Sequence, residues 1–208
     1  MVTGQRATAG PRIDLASLSD GEREELVGLG ALSDDGVPLP HSPPSDIRPH
    51  RPVATRAISA SSVLNEAYAY ARPSSFSRAL SFDIGDVTLL LVSGTASVDE
   101  RGATVHVGDF RAQCWRTYRN IATLLHSAGM TWRDVVRTTC YLRDIERDYR
   151  DFNEVRTAFF RWLALDPLPA STGIQARLCR DDLLVEIEAI AVARRDAGRS
   201  GAEESRFE

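Results

Sequence analysis

QCWRTYRNIATLLHSAGMTWRDVVRTTCYLRD, residues 113–144, is the stretch on which the fold turns. It completes an apolar series, Phe110, Cys114, Tyr118, Ile121, Leu124 and Leu125, that recurs at spacings of three and four and so marks one buried face of a helix over 109–129. Gly129 supplies the stop, because a glycine accepts the left-handed conformation at a helix end. The period then changes: residues 134–143 (DVVRTTCYLR) are rich in β-branched and aromatic side chains and read as a strand.

Working outward, residues 75–86 (SFSRALSFDIGD) and 87–97 (VTLLLVSGTAS) read as two strands joined at Gly85-Asp86. The unbroken apolar run 87–92 predicts a strand buried on both faces. After a turn at 99–102 (DERG), TVHVGDF (104–110) predicts a third short strand. Downstream, Tyr149, Phe152, Val155, Phe159 and Phe160 give helical spacing over 148–163, closed by Pro167 and Pro169. STGIQARL (171–178) and DLLVEIEAIAV (182–192) are the last two strands. This order predicts an α+β fold, a mixed sheet with two helices packed on one face.

The first sixty residues differ. One short helix is expected within 14–32, with Ser19 or Asp20 as cap, Glu22, Glu24 and Glu25 in its first turn and Gly30 near its stop. Residues 33–53 hold six prolines, which deny them a regular hydrogen-bonding pattern. The expected division is a proline-rich, largely irregular arm over 1–60, a folded domain over 61–196 and a disordered tail over 197–208. The arm is free either to hang loose or to wrap a neighbouring subunit.

Composition removes several functions. A net charge of -4 gives no basic surplus for phosphates, so nucleic acid is not an expected partner. All 25 basic residues are arginine, which excludes a lysine Schiff base or lysine general base. The cysteines, Cys114, Cys140 and Cys179, are widely spaced and form no zinc pattern, and His41, His50, His106 and His126 make no metal or triad spacing. Dinucleotide, P-loop and nucleophile-elbow motifs are absent, so nucleotide cofactors have no support. With no signal-like h-region and no apolar run near the roughly 18 residues of a membrane span, a cytoplasmic protein with no membrane partner is the expectation.

The pattern also suggests chemistry. In the closing strand Val185, Ile187, Ala189 and Ala191 alternate with Glu186 and Glu188, so the two carboxylates share the face opposite the apolar one. Glu186 and Glu188 can be the solvent face of an edge strand, or one can be a half-buried group whose pKa rises into the range of a general acid or base. Residues 93–97 (SGTAS), with Thr95 and Ser97, put small and hydroxylated side chains after a buried strand, which suits close approach of a ligand.

SSFSRAL (74–80), LLLVSGTASVDERG (89–102), the 113–144 stretch, FNEVRTAFF (152–160) and VEIEAIAV (185–192) are collinear and together resemble the RidA/YjgF family over about 75–193. The resemblance implies a chorismate-mutase-like fold, a homotrimer, and small metabolites bound in clefts between subunits without metal or organic cofactor. SGTAS and CRDDLLVEIE (179–188) are also similar to the C-terminal half of chorismatases, whose N-terminal half has no room in this chain. Both resemblances place a functional glutamate at Glu186, and the chorismatase likeness makes Cys179 a shaping residue beside the substrate. The RidA likeness makes Asn153 a site-lining residue and puts Phe76 where that group has a tyrosine. It also expects an arginine for the substrate carboxylate where this chain has Ser171, followed by Thr172. Arg177 is the substitute cation nearest in sequence, and an ion pair with Asp181 or Asp182 is its plainer role.

The resulting expectation is a cofactor-independent enzyme in which Glu186 performs acid/base chemistry on a small enol-ether, enamine or imine metabolite. The missing arginine and the chorismatase likeness favour a specialised hydrolase or lyase, in a biosynthetic pathway. The alternatives are an enamine/imine deaminase of general metabolism and a non-catalytic metabolite- or protein-binding module. Ribonuclease activity, an old label of this fold, is disfavoured by the acidic balance.

Overall fold

The structure, a computed structural model, describes residues 15–40, 53–71 and 73–195. The chain divides into two compact units, Met1–Pro52 and Val53–Glu208. In the first, helix α1 (Asp20–Gly28) starts at Ser19 as expected, with a reciprocal cap: the Ser19 hydroxyl accepts from the Glu22 N–H at 3.2 Å while the Glu22 carboxylate accepts from the Ser19 N–H at 2.7 Å. None of its residues is buried, in keeping with its few apolar anchors. Pro43, Pro44, Pro49 and Pro52 of the arm and the tail at 197–208 lie outside the described residues.

The second unit is built on a six-stranded mixed sheet. In chain order its elements are β1 (Thr55–Ile58), β2 (Ala79–Ile84), β3 (Val87–Ala96), α2 (Phe110–Ser127), β4 (Val135–Leu142), α3 (Ile145–Trp162), β5 (Ala170–Gln175) and β6 (Val185–Arg194). Across the sheet the order is β1-β2-β3-β6-β4-β5, with β4 and β5 parallel and the other pairs antiparallel. The α+β architecture matches the expectation. Three details do not. Thr55–Ile58, assigned to the arm, pairs with β2; its four residues are too few and too polar to show an alternation. TVHVGDF forms only an isolated bridge, Val98 to Thr104, because His106 and Gly108 turn the chain at positive φ. The run at 87–92 is covered on one face only: Leu90 and Val92 are buried, while Leu91 is 39% exposed.

Helices α2 and α3 cover that buried face. Asp109 and Asp144 cap them by accepting from Ala112 N–H at 2.9 Å and Arg147 N–H at 3.0 Å. The whole predicted apolar series of α2 is buried, as are Phe152, Val155, Phe159 and Phe160 of α3. Tyr118 stacks on Phe159 with ring centroids 4.5 Å apart, and Trp132 meets Phe159 edge-on at 5.2 Å, which locks the helices together.

Candidate active site

β6 is last in sequence but central in the sheet, flanked by β3 and β4, so the edge-strand reading of Glu186 does not apply. Glu186 pairs with Ala96 on one side and Tyr141 on the other. The β3–β6 ladder slips between Val92 and Thr95, and Gly94 falls in that irregularity. A Cβ on Gly94 would lie 2.0 Å from Glu186 Oε1, so the carboxylate rests directly on bare backbone that no other residue could provide. That close approach is the reason for the glycine in SGTAS.

Glu186 lines a pocket of about 690 Å³ together with Phe76, Arg78, Cys179, Arg180, Tyr70 and Ala96. Burial pushes its proton affinity above that of an ordinary carboxylate; Arg78 pulls the other way and Glu188 adds to the rise. Neighbouring backbone is held firmly. Ser93 donates its N–H to the Arg78 carbonyl at 3.0 Å and its hydroxyl to the Ser77 carbonyl at 2.8 Å. Asn120 donates to the Ala96 and Val98 carbonyls, each at 3.0 Å, and Gln113 bridges the start of β6 by donating to Asp182 O at 2.9 Å and accepting from Leu184 N–H at 2.8 Å. Arg180 donates to Gly102 O, which ties the loop carrying Cys179 to the pocket rim.

A carboxyl with raised pKa stabilises the folded state only while protonated, so its contribution is present at low pH and fades as pH climbs through the raised value. Glu186→Gln should therefore gain thermal stability over the parent as pH rises from about 4 to about 8. Melting curves across that range check it; a stability difference that stays flat with pH would contradict the burial of this group.

Of the other residues singled out in the sequence, Phe76 and Cys179 line the pocket with Glu186. Thr95 and Ser97 do not: both are fully buried, and their hydroxyls donate at 2.8 Å to Ser93 O and Val105 O, because the slip in β3 turns Thr95 to the helix side opposite Ile187. Arg177 is exposed and absent from the pocket lining, since β5 ends at Gln175 before the alternation reaches it. Nor, among the described residues, does Arg177 pair with Asp181 or Asp182; Asp182 instead accepts from the Thr104 hydroxyl at 2.9 Å. Asn153, Ser171 and Thr172 form a separate group. Arg156 donates to Asn153 Oδ1 and, at 3.1 Å, to the Ser171 hydroxyl, and Arg137 donates to the Thr172 hydroxyl at 3.1 Å.

Sequence reasoning missed Arg78, and it included Gly94 in the close-approach segment without giving it a role of its own. Arg78 follows Phe76 by two residues, a spacing that puts side chains on one side of an extended chain, so the alternation contained the signal. Among the described residues no group of three His, Cys, Asp or Glu side chains is placed to hold a metal, and no helix is long and apolar enough to cross a membrane.

A mixed sheet with helices on one face, and a carboxyl of raised proton affinity lining a pocket, define an α+β domain with a candidate small-molecule site. Residues 70–193 match the family described as Endoribonuclease L-PSP, and the chain belongs to this family, also called RidA/YjgF. A RutC family protein of Pyrococcus abyssi is 32% identical over 102 residues, which cover 49% of this chain and 76% of that protein. The 2-iminobutanoate/2-iminopropanoate deaminase of Salmonella typhimurium is 30% identical over 112 residues, 54% of this chain and 84% of the enzyme. The crystal structure of the YjgF gene product of Escherichia coli superimposes with a TM-score of 0.55 at 25% identity, covering 67% of this chain and 99% of that one.

Proposed function

We propose that this protein hydrolyses small imines and their enamine tautomers to carbonyl compounds and ammonia, with Glu186 as the acid/base. The observation that carries the reading is the Glu186 carboxyl lying on the Gly94 backbone inside a walled pocket, with its proton affinity raised by burial. In the protonated form Glu186 gives its proton to the imine nitrogen; the carboxylate so formed takes a proton from the water that adds to the imine carbon. The same proton then passes to the carbinolamine nitrogen, the C–N bond breaks, ammonia leaves, and the hydroxyl proton returns to Glu186. Imine and water are thereby consumed, carbonyl compound and ammonia released, and the carboxyl restored.

Of the enzymatic readings the sequence allowed, deamination is favoured over a specialised biosynthetic hydrolase or lyase, because the Salmonella relative carries the name of an imine deaminase. A carboxyl held at raised proton affinity also favours an enzyme over an idle binding module. Freshly generated 2-iminobutanoate should yield ammonia and 2-oxobutanoate faster than it hydrolyses in buffer. A rate equal to buffer would remove the reading.

The proposal includes assembly as a homotrimer whose copies cover the sheet face away from the helices. In support, Leu80, Leu91 and Ile190 lie in one row across β2, β3 and β6, and Phe82, Leu89 and Val192 in the next. All six are partly or openly exposed, a contiguous apolar surface unusual for a monomer. It also accounts for the apolar run at 87–92, whose pattern demands cover on both faces. Leu91→Glu should convert a wild-type particle of three protomer masses to one of a single protomer mass in light scattering; a monomeric wild type would overturn the assembly.

A further inference from the structure

We propose that Arg78 is the carboxylate anchor of the Glu186 pocket, so that the substrate is a small unsaturated monocarboxylic acid gripped from the start of β2 and not from position 171. This rests on the Glu186 reading for the fate of the bound molecule, although the grip itself does not require it.

Three observations point to this group. First, Arg78 is only 6% exposed, yet among the described residues its guanidinium has no anionic partner within ion-pairing distance. Its Nε donates to Asn65 O at 3.0 Å, and the Glu66 carboxylate accepts from the Arg78 backbone N–H and from Ser59, leaving the guanidinium without a direct ion pair. A buried cation without an anion is costly unless a ligand brings one. Second, the guanidinium carbon lies 5.1 Å from the centroid of the Tyr70 ring and 5.2 Å from that of Phe76, so two aromatic faces help to hold the cation. Among the described residues Nε is the only side-chain nitrogen of Arg78 that makes a hydrogen bond, so its two terminal nitrogens are free to meet a planar carboxylate group by two parallel hydrogen bonds. A tetrahedral phosphate would seek donors from several directions, and among the described residues no α-helix N-terminus lines this pocket.

Third, Arg78 and Glu186 line one pocket and sense each other's charge without forming an ion pair. A short acid spanning the two would place its carboxylate on Arg78 and its reactive unsaturation near Glu186. Ser171 cannot supply this grip, because it lies outside that lining and its hydroxyl is already engaged by Arg156. The absence of arginine at 171 is thus compensated from the residue just before β2.

The probe is 2-oxobutanoate, the stable product of the proposed reaction, with neutral 2-oxobutanamide as control. Wild type should bind the acid at least tenfold tighter than the amide in calorimetric titration. Arg78→Met should lose the acid by about 10- to 100-fold and erase the preference, the size expected for a charge-assisted pair; Arg78→Lys should recover part of it. The KM for 2-iminobutanoate should rise accordingly in Arg78→Met. In case the buried variants fail to fold, wild-type crystals soaked with 2-oxobutanoate give an independent reading: the carboxylate should sit on the Arg78 guanidinium, and its seating on Arg101, Arg180 or a neighbouring copy overturns the inference. So does equal binding of acid and amide, or a folded Arg78→Met that keeps the preference. Acid binding that depends on Arg78 without imine turnover would remove the deaminase reading alone. Turnover that needs Glu186 but is indifferent to Arg78 would remove the anchor alone.

Discussion

Glu186→Gln is expected to lower kcat for 2-iminobutanoate hydrolysis by about 10²- to 10⁴-fold, the usual contribution of a positioned general acid/base. Glutamine keeps the shape and one oxygen of the side chain, so the pocket and its affinity for 2-oxobutanoate should be nearly unchanged, while the proton needed by the imine nitrogen and the base needed by water are both gone. The pH profile supplies a second reading. Because burial raises the proton affinity of Glu186, the wild-type limb that reports its ionisation should lie above the ordinary carboxylate range, and this limb should be missing from the variant's residual rate. Steady-state rates from about pH 4 to 8 suffice to see both effects. Unaltered turnover in a folded Glu186→Gln would show that another group moves the proton.

Gly94→Ala should cost about 10²-fold or more in kcat although it adds a single methyl group. The added carbon would fall 2.0 Å from Glu186 Oε1, a separation that a non-bonded carbon and oxygen do not tolerate, and Gly94 sits where Ser93 is pinned to Arg78 and Ser77, so the backbone has little freedom to retreat. The carboxylate must therefore swing away, and a displacement of about 1 Å in a catalytic group is enough for a hundredfold loss. The double variant Gly94→Ala/Glu186→Gln distinguishes this from general damage. If the glycine acts by seating the carboxylate, its effect should vanish once Glu186 is gone; if the two losses simply add, the seating argument fails.

Much of the architecture was legible because burial in helices and strands leaves periodic marks. Tyr118, Leu125 and Phe159 fall on regular spacings, and each is buried where that spacing puts it. Thr55–Ile58 left no such mark, being short and polar, and its place in the sheet comes from pairing with β2. The candidate site was legible in outline. Glu186 and Phe76 stand on strand-like runs whose alternation points them to one side, and both line the pocket. Thr95 and Ser97 misled because one slip of register reverses which face a side chain takes, and the slip at Ser93-Gly94 has no periodic signature. Arg177 misled because nearness in sequence ceased to mean nearness in space once β5 ended.

By itself the sequence determined the element order, the helix faces and the presence of carboxylates opposite an apolar strand face, since each depends on residues within a turn or two of one another. Only the tertiary structure decided that the closing strand lies in the middle of the sheet, that Glu186 rests on Gly94, and that Arg78 rather than Arg177 shares its pocket. Those facts depend on which distant segments pair and in what register, and that is set by the packing of the whole core, which no local pattern encodes.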